Sequence, residues 1–258
     1  MTRIRWKTGL WVATAAVVFM ACEDTPTPGD ALTGSPLAVQ GEKKLSLDLC
    51  APSAGGFTTV STNPYFPFAP GDQWFYAGDG ETLLITVLHQ TRLIDNVTTR
   101  VIEERETENG ELLEISWNYF VQAGDGTVCY YGEDVDIYEE NGDIVHDVAW
   151  CAEDQGNAAG IIMPADPKPG MTYQNELAPG IAEDQAKIVG IGPVNVPAGP
   201  FPETIRVRES SPLDSGHGFK VFAAGTGLII DASAELVSFT TGASTPGPPT
   251  ITLQTCGT

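Results

Sequence analysis

Between Arg105 and Lys168 the sequence holds fifteen Asp and Glu residues and no Lys or Arg. Carboxylates at that density can take a hard cation, because calcium accepts six to eight oxygen ligands. Glu133, Asp134 and Asp136 are the tightest group and the expected calcium ligands; no EF-hand spacing accompanies them, and a solvated acidic face is the alternative. Histidine offers less. His89, His146 and His217 are the whole set, and neither His-Glu-x-x-His nor Cys-x-x-Cys occurs, so nothing indicates zinc or copper. His146 shares a period of two with Ile144, Val148 and Trp150, which favours a packed histidine. Ser116, Ser210, Ser211 and Ser238 lack the Gly-x-Ser-x-Gly turn that projects a nucleophile. The remaining chemistry is aromatic: Trp117 and Tyr119 alternate on one stretch, with Tyr130 on the next and Trp150 on a third. On a concave surface these rings would hold an apolar ligand, with phenol and indole groups orienting it; a packed core is the other use of such rows.

The elements that position these residues are strands. The stretch Glu111 to Asp154 reads as three antiparallel strands, because Gly124-Asp125-Gly126 and Asn141-Gly142 are hairpin turns separating runs rich in Tyr, Trp, Val and Ile. Further strands are expected at 82–91 and 97–106 between turns at Gly78-Asp79-Gly80, Asp95-Asn96 and Asn109-Gly110, then at 183–189, 202–209, 218–222, 227–230 and 234–239. A Gly- and Pro-rich crossing loop is expected over 155–170. No long stretch has helical periodicity, so the fold class is mainly β: a curved antiparallel sheet forming a half-barrel or open barrel. Pro169-Gly170-x-x-Tyr173 echoes Pro70-Gly71-x-x-Trp74, which leaves open two similar β units.

The first residues place the chain outside the cytoplasm. Arg3, Arg5 and Lys7 precede an apolar run from Gly9 to Ala21, the layout of a signal peptide over 1–21. Phe19-Met20-Ala21-Cys22 resembles a bacterial lipobox, which implies cleavage before Cys22 and its palmitate-type lipidation. The leader carries three of the 13 basic residues and none of the 34 acids, leaving 10 against 34 and a charge of −24. That sign excludes nucleic acid as a partner and leaves the lipid, rather than a basic patch, as the link to the membrane. Residues 22–62, rich in Pro, Gly, Ser and Thr, read as a tether, and 63–258 as one β domain.

With Cys22 lipidated, Cys50, Cys129, Cys151 and Cys256 form an even set in an oxidising compartment. A hairpin centred near Glu140 and Asn141 sets Cys129 opposite Cys151 within a residue, so the expected disulfides are Cys129–Cys151 and Cys50–Cys256.

Pro70-Gly71-x-x-Trp74-x-Tyr76, Val196-Pro197-Ala198-Gly199-x-Phe201, Phe222-Ala223-Ala224-Gly225-Thr226-Gly227-Leu228-Ile229 and Glu235-Leu236-Val237 together resemble a group of secreted bacterial lipoproteins of largely unknown function. The resemblance implies a curved antiparallel β domain similar to half-barrel lipid-carrier lipoproteins, and it carries no catalytic residue. The sequence therefore points to a lipid-anchored cell-envelope protein, a non-enzymatic binding or carrier module for an apolar small molecule or lipid at Trp117, Tyr119, Tyr130 and Trp150. A calcium-stabilised structural or envelope-interaction protein and an uncharacterised hydrolase are the alternatives.

Overall fold

Three of the hairpin turns expected from sequence close as two-residue loops. Asp79-Gly80, Asp95-Asn96 and Asn109-Gly110 all have positive φ, between 48° and 89°, and each joins strands whose flanking residues pair directly. In the computed structural model, which describes residues 43–154 and 156–242, fourteen strands form one mixed sheet. They are β1 (Lys43–Lys44), β2 (Gln73–Gly78), β3 (Glu81–Ile94), β4 (Val97–Glu108), β5 (Glu111–Gln122), β6 (Val128–Tyr138), β7 (Ile144–Cys151), β8 (Gly160–Met163), β9 (Met171–Gln174), β10 (Gln185–Val196), β11 (Gly199–Ser210), β12 (His217–Ala223), β13 (Gly227–Asp231) and β14 (Ala234–Thr240). The leader, Cys22 and Cys256 lie outside the described residues.

The order of strands is β1-β9-β10-β11-β12-β13-β14-β2-β3-β4-β5-β6-β7, with β8 added on β6. Strands β2 to β7 and β9 to β14 are thus two six-strand meanders, joined edge to edge by the antiparallel pair β14–β2. The Pro-Gly echo lies at the head of each. Gly71 donates its N–H to the Val87 carbonyl and Gly170 to the Ile188 carbonyl, both at 2.9 Å, and both glycines have φ of 90°.

One face of this sheet is turned inward. Glu104 on β4 interacts electrostatically with Lys220 on β12 and Asp231 on β13. In a flat sheet the five strand steps from β12 to β4 would separate them by about 24 Å. Phe66 closes the same gap, with its ring 5.2 Å from Phe120 on β5 and 6.1 Å from Phe222 on β12. The sheet is curled but not closed, since β7 and β9 do not pair with each other.

Three expectations change. The crossing loop contains β8, whose four residues are all buried against β6. Its Gly160 has no room for a side chain, because a Cβ would lie 1.7 Å from the Asn175 carbonyl oxygen. The ordered chain also starts before residue 63. Cys50 is fully buried, Tyr131 donates to its carbonyl at 2.7 Å, Thr58 bridges Gln122, and Asn63 Nδ2 bonds to the Gly126 and Pro164 carbonyls.

The disulfide pairing differs as well: Cys50 is bonded to Cys129, not Cys129 to Cys151 or Cys50 to Cys256. The turn between β6 and β7 takes five residues, because Tyr138 pairs with Ile144, and β7 holds one extra residue where Asp134–Asp136 faces His146–Ala149. Cys151 is therefore opposite Gly132, and Cys129 lies past that ladder, opposite Val121 and Ile161. Cys151 is itself a disulfide cysteine.

Candidate functional site

The register decides which side chains share a face. On β5, Glu114, Ser116 and Asn118 face inward; across them lie Glu106, Glu104 and Ile102 on β4, and Ile137, Val135 and Glu133 on β6. Trp150 on β7 continues the row of Asn118 and Glu133. A bulge between Asn118 and Phe120 brings Phe120 over Tyr130, their rings stacked at 4.6 Å, and Trp150 meets Tyr130 edge-on at 5.4 Å. The Tyr130 hydroxyl donates to Glu133 Oε2 at 2.8 Å and is also bonded to Asn118 Oδ1.

Trp117 and Tyr119 point the other way. Trp117 pairs with Asp134, whose side chain is on the face opposite Glu133. There the polar groups are matched: Trp117 Nε1 donates to Glu103 Oε2 at 3.1 Å, and Arg105 Nε donates to the other oxygen of Glu103 at 2.6 Å. Arg92 binds Asp134 at 2.7 Å while its guanidinium lies 4.6 Å from the Tyr119 ring, and the Tyr119 hydroxyl donates to the same carboxylate. Asp136 pairs with the exposed His146. The expected aromatic row is thus split, with Tyr130 and Trp150 on the interior face and Trp117 and Tyr119 on its reverse. All four are at most 2% exposed within the folded chain.

The same alternation separates the expected calcium ligands, because Glu133 faces inward while Asp134 and Asp136 face outward. Among the described residues no three His, Cys, Asp or Glu side chains converge as metal ligands.

Sequence reasoning passed over the interior carboxylates. Glu106 and Glu114 are direct cross-strand neighbours, a like-charge arrangement that destabilises a sheet when both are ionised. Burial pushes Glu106 up to about 7, with Glu104, Asp231 and Glu81 adding to the effect. Burial raises Glu114 further, to about 9, with Glu106 and Glu133 contributing. Lys220 does not neutralise them; it lies 3.1 Å from Asp231 and 3.8 Å from Glu209. Arg100, also on this face, is spent on the carbonyls of Thr59 and His89 at 3.0 and 2.8 Å. The signal was in the turn: Asn109-Gly110 sets Glu108 opposite Glu111, so Glu106 and Glu114 fall near each other once one bulge residue is counted.

Polar satisfaction on this face is incomplete. Among the described residues, Glu114 Oε1, Asn118 Nδ2, Trp150 Nε1 and, on β9, Tyr173 OH have no hydrogen-bond partner, although their residues are at most 9% exposed. Such a buried group costs about 1–3 kcal/mol each. A separate surface groove of about 480 Å³ runs between Phe57–Val60 and Asn96–Thr98 and has no ionisable lining residue.

No family model matches the chain, and no curated protein matches it. Among solved structures, a chain named "putative lipoprotein" from Parabacteroides distasonis ATCC 8503 is similar at 10% identity, with 69% of this chain and 99% of that one covered. Its TM-score of 0.37 is too low to carry an argument about either fold or function.

Proposed function

We propose that this chain is an exported envelope lipoprotein, anchored through Cys22, whose curled sheet is a binding or carrier module for a ligand with an apolar body. The observation that supports it is the interior face, where Tyr130, Trp150 and Phe120 form a ring cluster beside polar groups left unmatched. A face that served packing alone would match those groups or replace them with apolar ones. Trp117 and Tyr119 support this cluster from the reverse of the sheet rather than touching the ligand.

The test begins with protein purified from its own membrane fraction. Solvent extraction and mass spectrometry should recover a bound amphiphile, and the neutral probe N-phenyl-1-naphthylamine should gain fluorescence on binding and quench tryptophan emission. No extractable ligand together with no probe binding defeats the carrier reading.

A further inference from the structure

The unmatched groups of the interior face define a ligand chemistry, and the inference rests on the carrier reading above. Trp150 Nε1 and Asn118 Nδ2 are donors in want of an acceptor, Glu114 Oε1 belongs to a carboxyl group, and Tyr173 OH does either. A ligand group that both donates and accepts meets all four. Hydroxyls do so, and they add no charge to a face already holding Glu104, Glu106, Glu133 and Glu209. An anionic head would meet those carboxylates at close range. A primary ammonium would suit the carboxylates but offers Trp150 and Asn118 no acceptor. A metal ion cannot be ligated by an indole or amide N–H.

We infer that the interior face binds the neutral polyhydroxylated head of an amphiphile, a saccharide-type group whose C–H face packs on the Tyr130 and Trp150 rings. Asn118 and Glu114 are four residues apart on one strand, about 13 Å. A single pyranose ring does not span that distance, so a head of two linked sugars is the better fit. The apolar tail then continues past Asn118 along Phe120, which shares the face.

Three dodecyl probes test this with the mature protein, all below their micelle-forming concentrations: dodecyl maltoside, dodecanoate and dodecylamine, each competing against N-phenyl-1-naphthylamine. Dodecyl maltoside should displace the fluorophore at least tenfold more tightly than either charged dodecyl probe. Trp150→Phe keeps the ring and removes the donor, and Asn118→Leu removes the second donor. Each should weaken dodecyl maltoside about fivefold to tenfold relative to its own naphthylamine affinity, the loss of one net hydrogen bond. Trp74→Phe is the control, because Trp74 Nε1 already donates to the Thr226 carbonyl at 2.8 Å; it should leave maltoside affinity unchanged. If Trp150→Phe loses the far-ultraviolet signature of the fold, Asn118→Leu decides. Equal affinity for the three dodecyl probes, or a preference for dodecylamine, overturns the polyhydroxylated head while leaving the carrier reading intact. Failure of every probe, the naphthylamine included, overturns both.

Discussion

Glu114→Gln should stabilise this protein at alkaline pH and do little at pH 5. Both Glu106 and Glu114 have folded values above the ordinary 4.5, so the native chain holds these protons more tightly than the unfolded chain does. Their contribution to stability is fully present below about 4.5 and is lost as pH rises through the folded values, about 7 for Glu106 and about 9 for Glu114. Taken separately, these displacements correspond to roughly 3 and roughly 6 kcal/mol. The Glu114 displacement includes the charge of Glu106, which ionises first, and with allowance for that coupling the pair should lose about 4 kcal/mol between pH 5 and pH 9. Glutamine preserves the shape of Glu114 and cannot ionise, so the charge that Glu106 and Glu133 oppose never forms. Urea unfolding followed by tryptophan emission at pH 5, 7 and 9 should show the wild-type midpoint falling with pH. The midpoint of the variant should fall much less, leaving it about 2–4 kcal/mol more stable at pH 9. A wild-type midpoint that rises over this range, or a variant midpoint that runs parallel to it, refutes the reasoning.

Cys22→Ser should move the protein from the membrane fraction to the soluble one, and mass spectrometry of the wild-type N-terminus should find an acylated cysteine; an unmodified Cys22 ends the lipoprotein reading. Non-reducing peptide mapping should recover Cys50 joined to Cys129, and replacing both by Ala should cost about 2–4 kcal/mol in urea, below the ~4.5 kcal/mol that a separation of 79 residues sets in the chain-entropy account. Gly160→Ala should destabilise by about 1–3 kcal/mol or more, because the new methyl would meet the Asn175 carbonyl oxygen and one of the two backbones must move. A thermal midpoint unchanged from wild type would show that the 160–175 approach is not as close as described.

Local chemistry made the hairpins legible in the sequence. Asp79-Gly80, Asp95-Asn96 and Asn109-Gly110 accept positive φ at low cost, and each closes the turn its residue types require. Longer turns and bulges are where sequence reasoning ran out. One extra residue between His146 and Ala149, together with a five-residue turn, moved Cys151 three positions away from Cys129. Strand β8 was hidden for a different reason: Gly160-Ile161-Ile162-Met163 is too short to show alternation and lies among Gly and Pro residues. Alternation within β6 was available from the start and separates Glu133 from Asp134 and Asp136, whereas the inward turn of one face over the other depends on contacts such as Phe66 with Phe120 and Phe222, which no local pattern encodes.

The placement of acids is what packing cannot explain. The chain carries 34 acidic residues, and the exposed stretches of the sheet, such as the first half of β7, have room to set them in water, where their mutual repulsion is screened. Glu104, Glu106, Glu114 and Glu209 nevertheless face inward, where desolvation disfavours their charged forms and where apolar residues of similar volume would be more stable. The reverse of the same strands shows what this sequence does when charge is structural: Glu103, Asp134 and Asp136 each have a basic or donor partner within hydrogen-bond distance. Interior Glu114, Asn118 and Trp150 each keep a polar atom unmatched, so the two faces follow different rules. Local inconsistency of this kind collects at functional sites, because a ligand supplies the missing partners. That contrast between the faces of β4 to β7, more than the abundance of aromatic rings, is the physical ground for reading the interior as a binding surface.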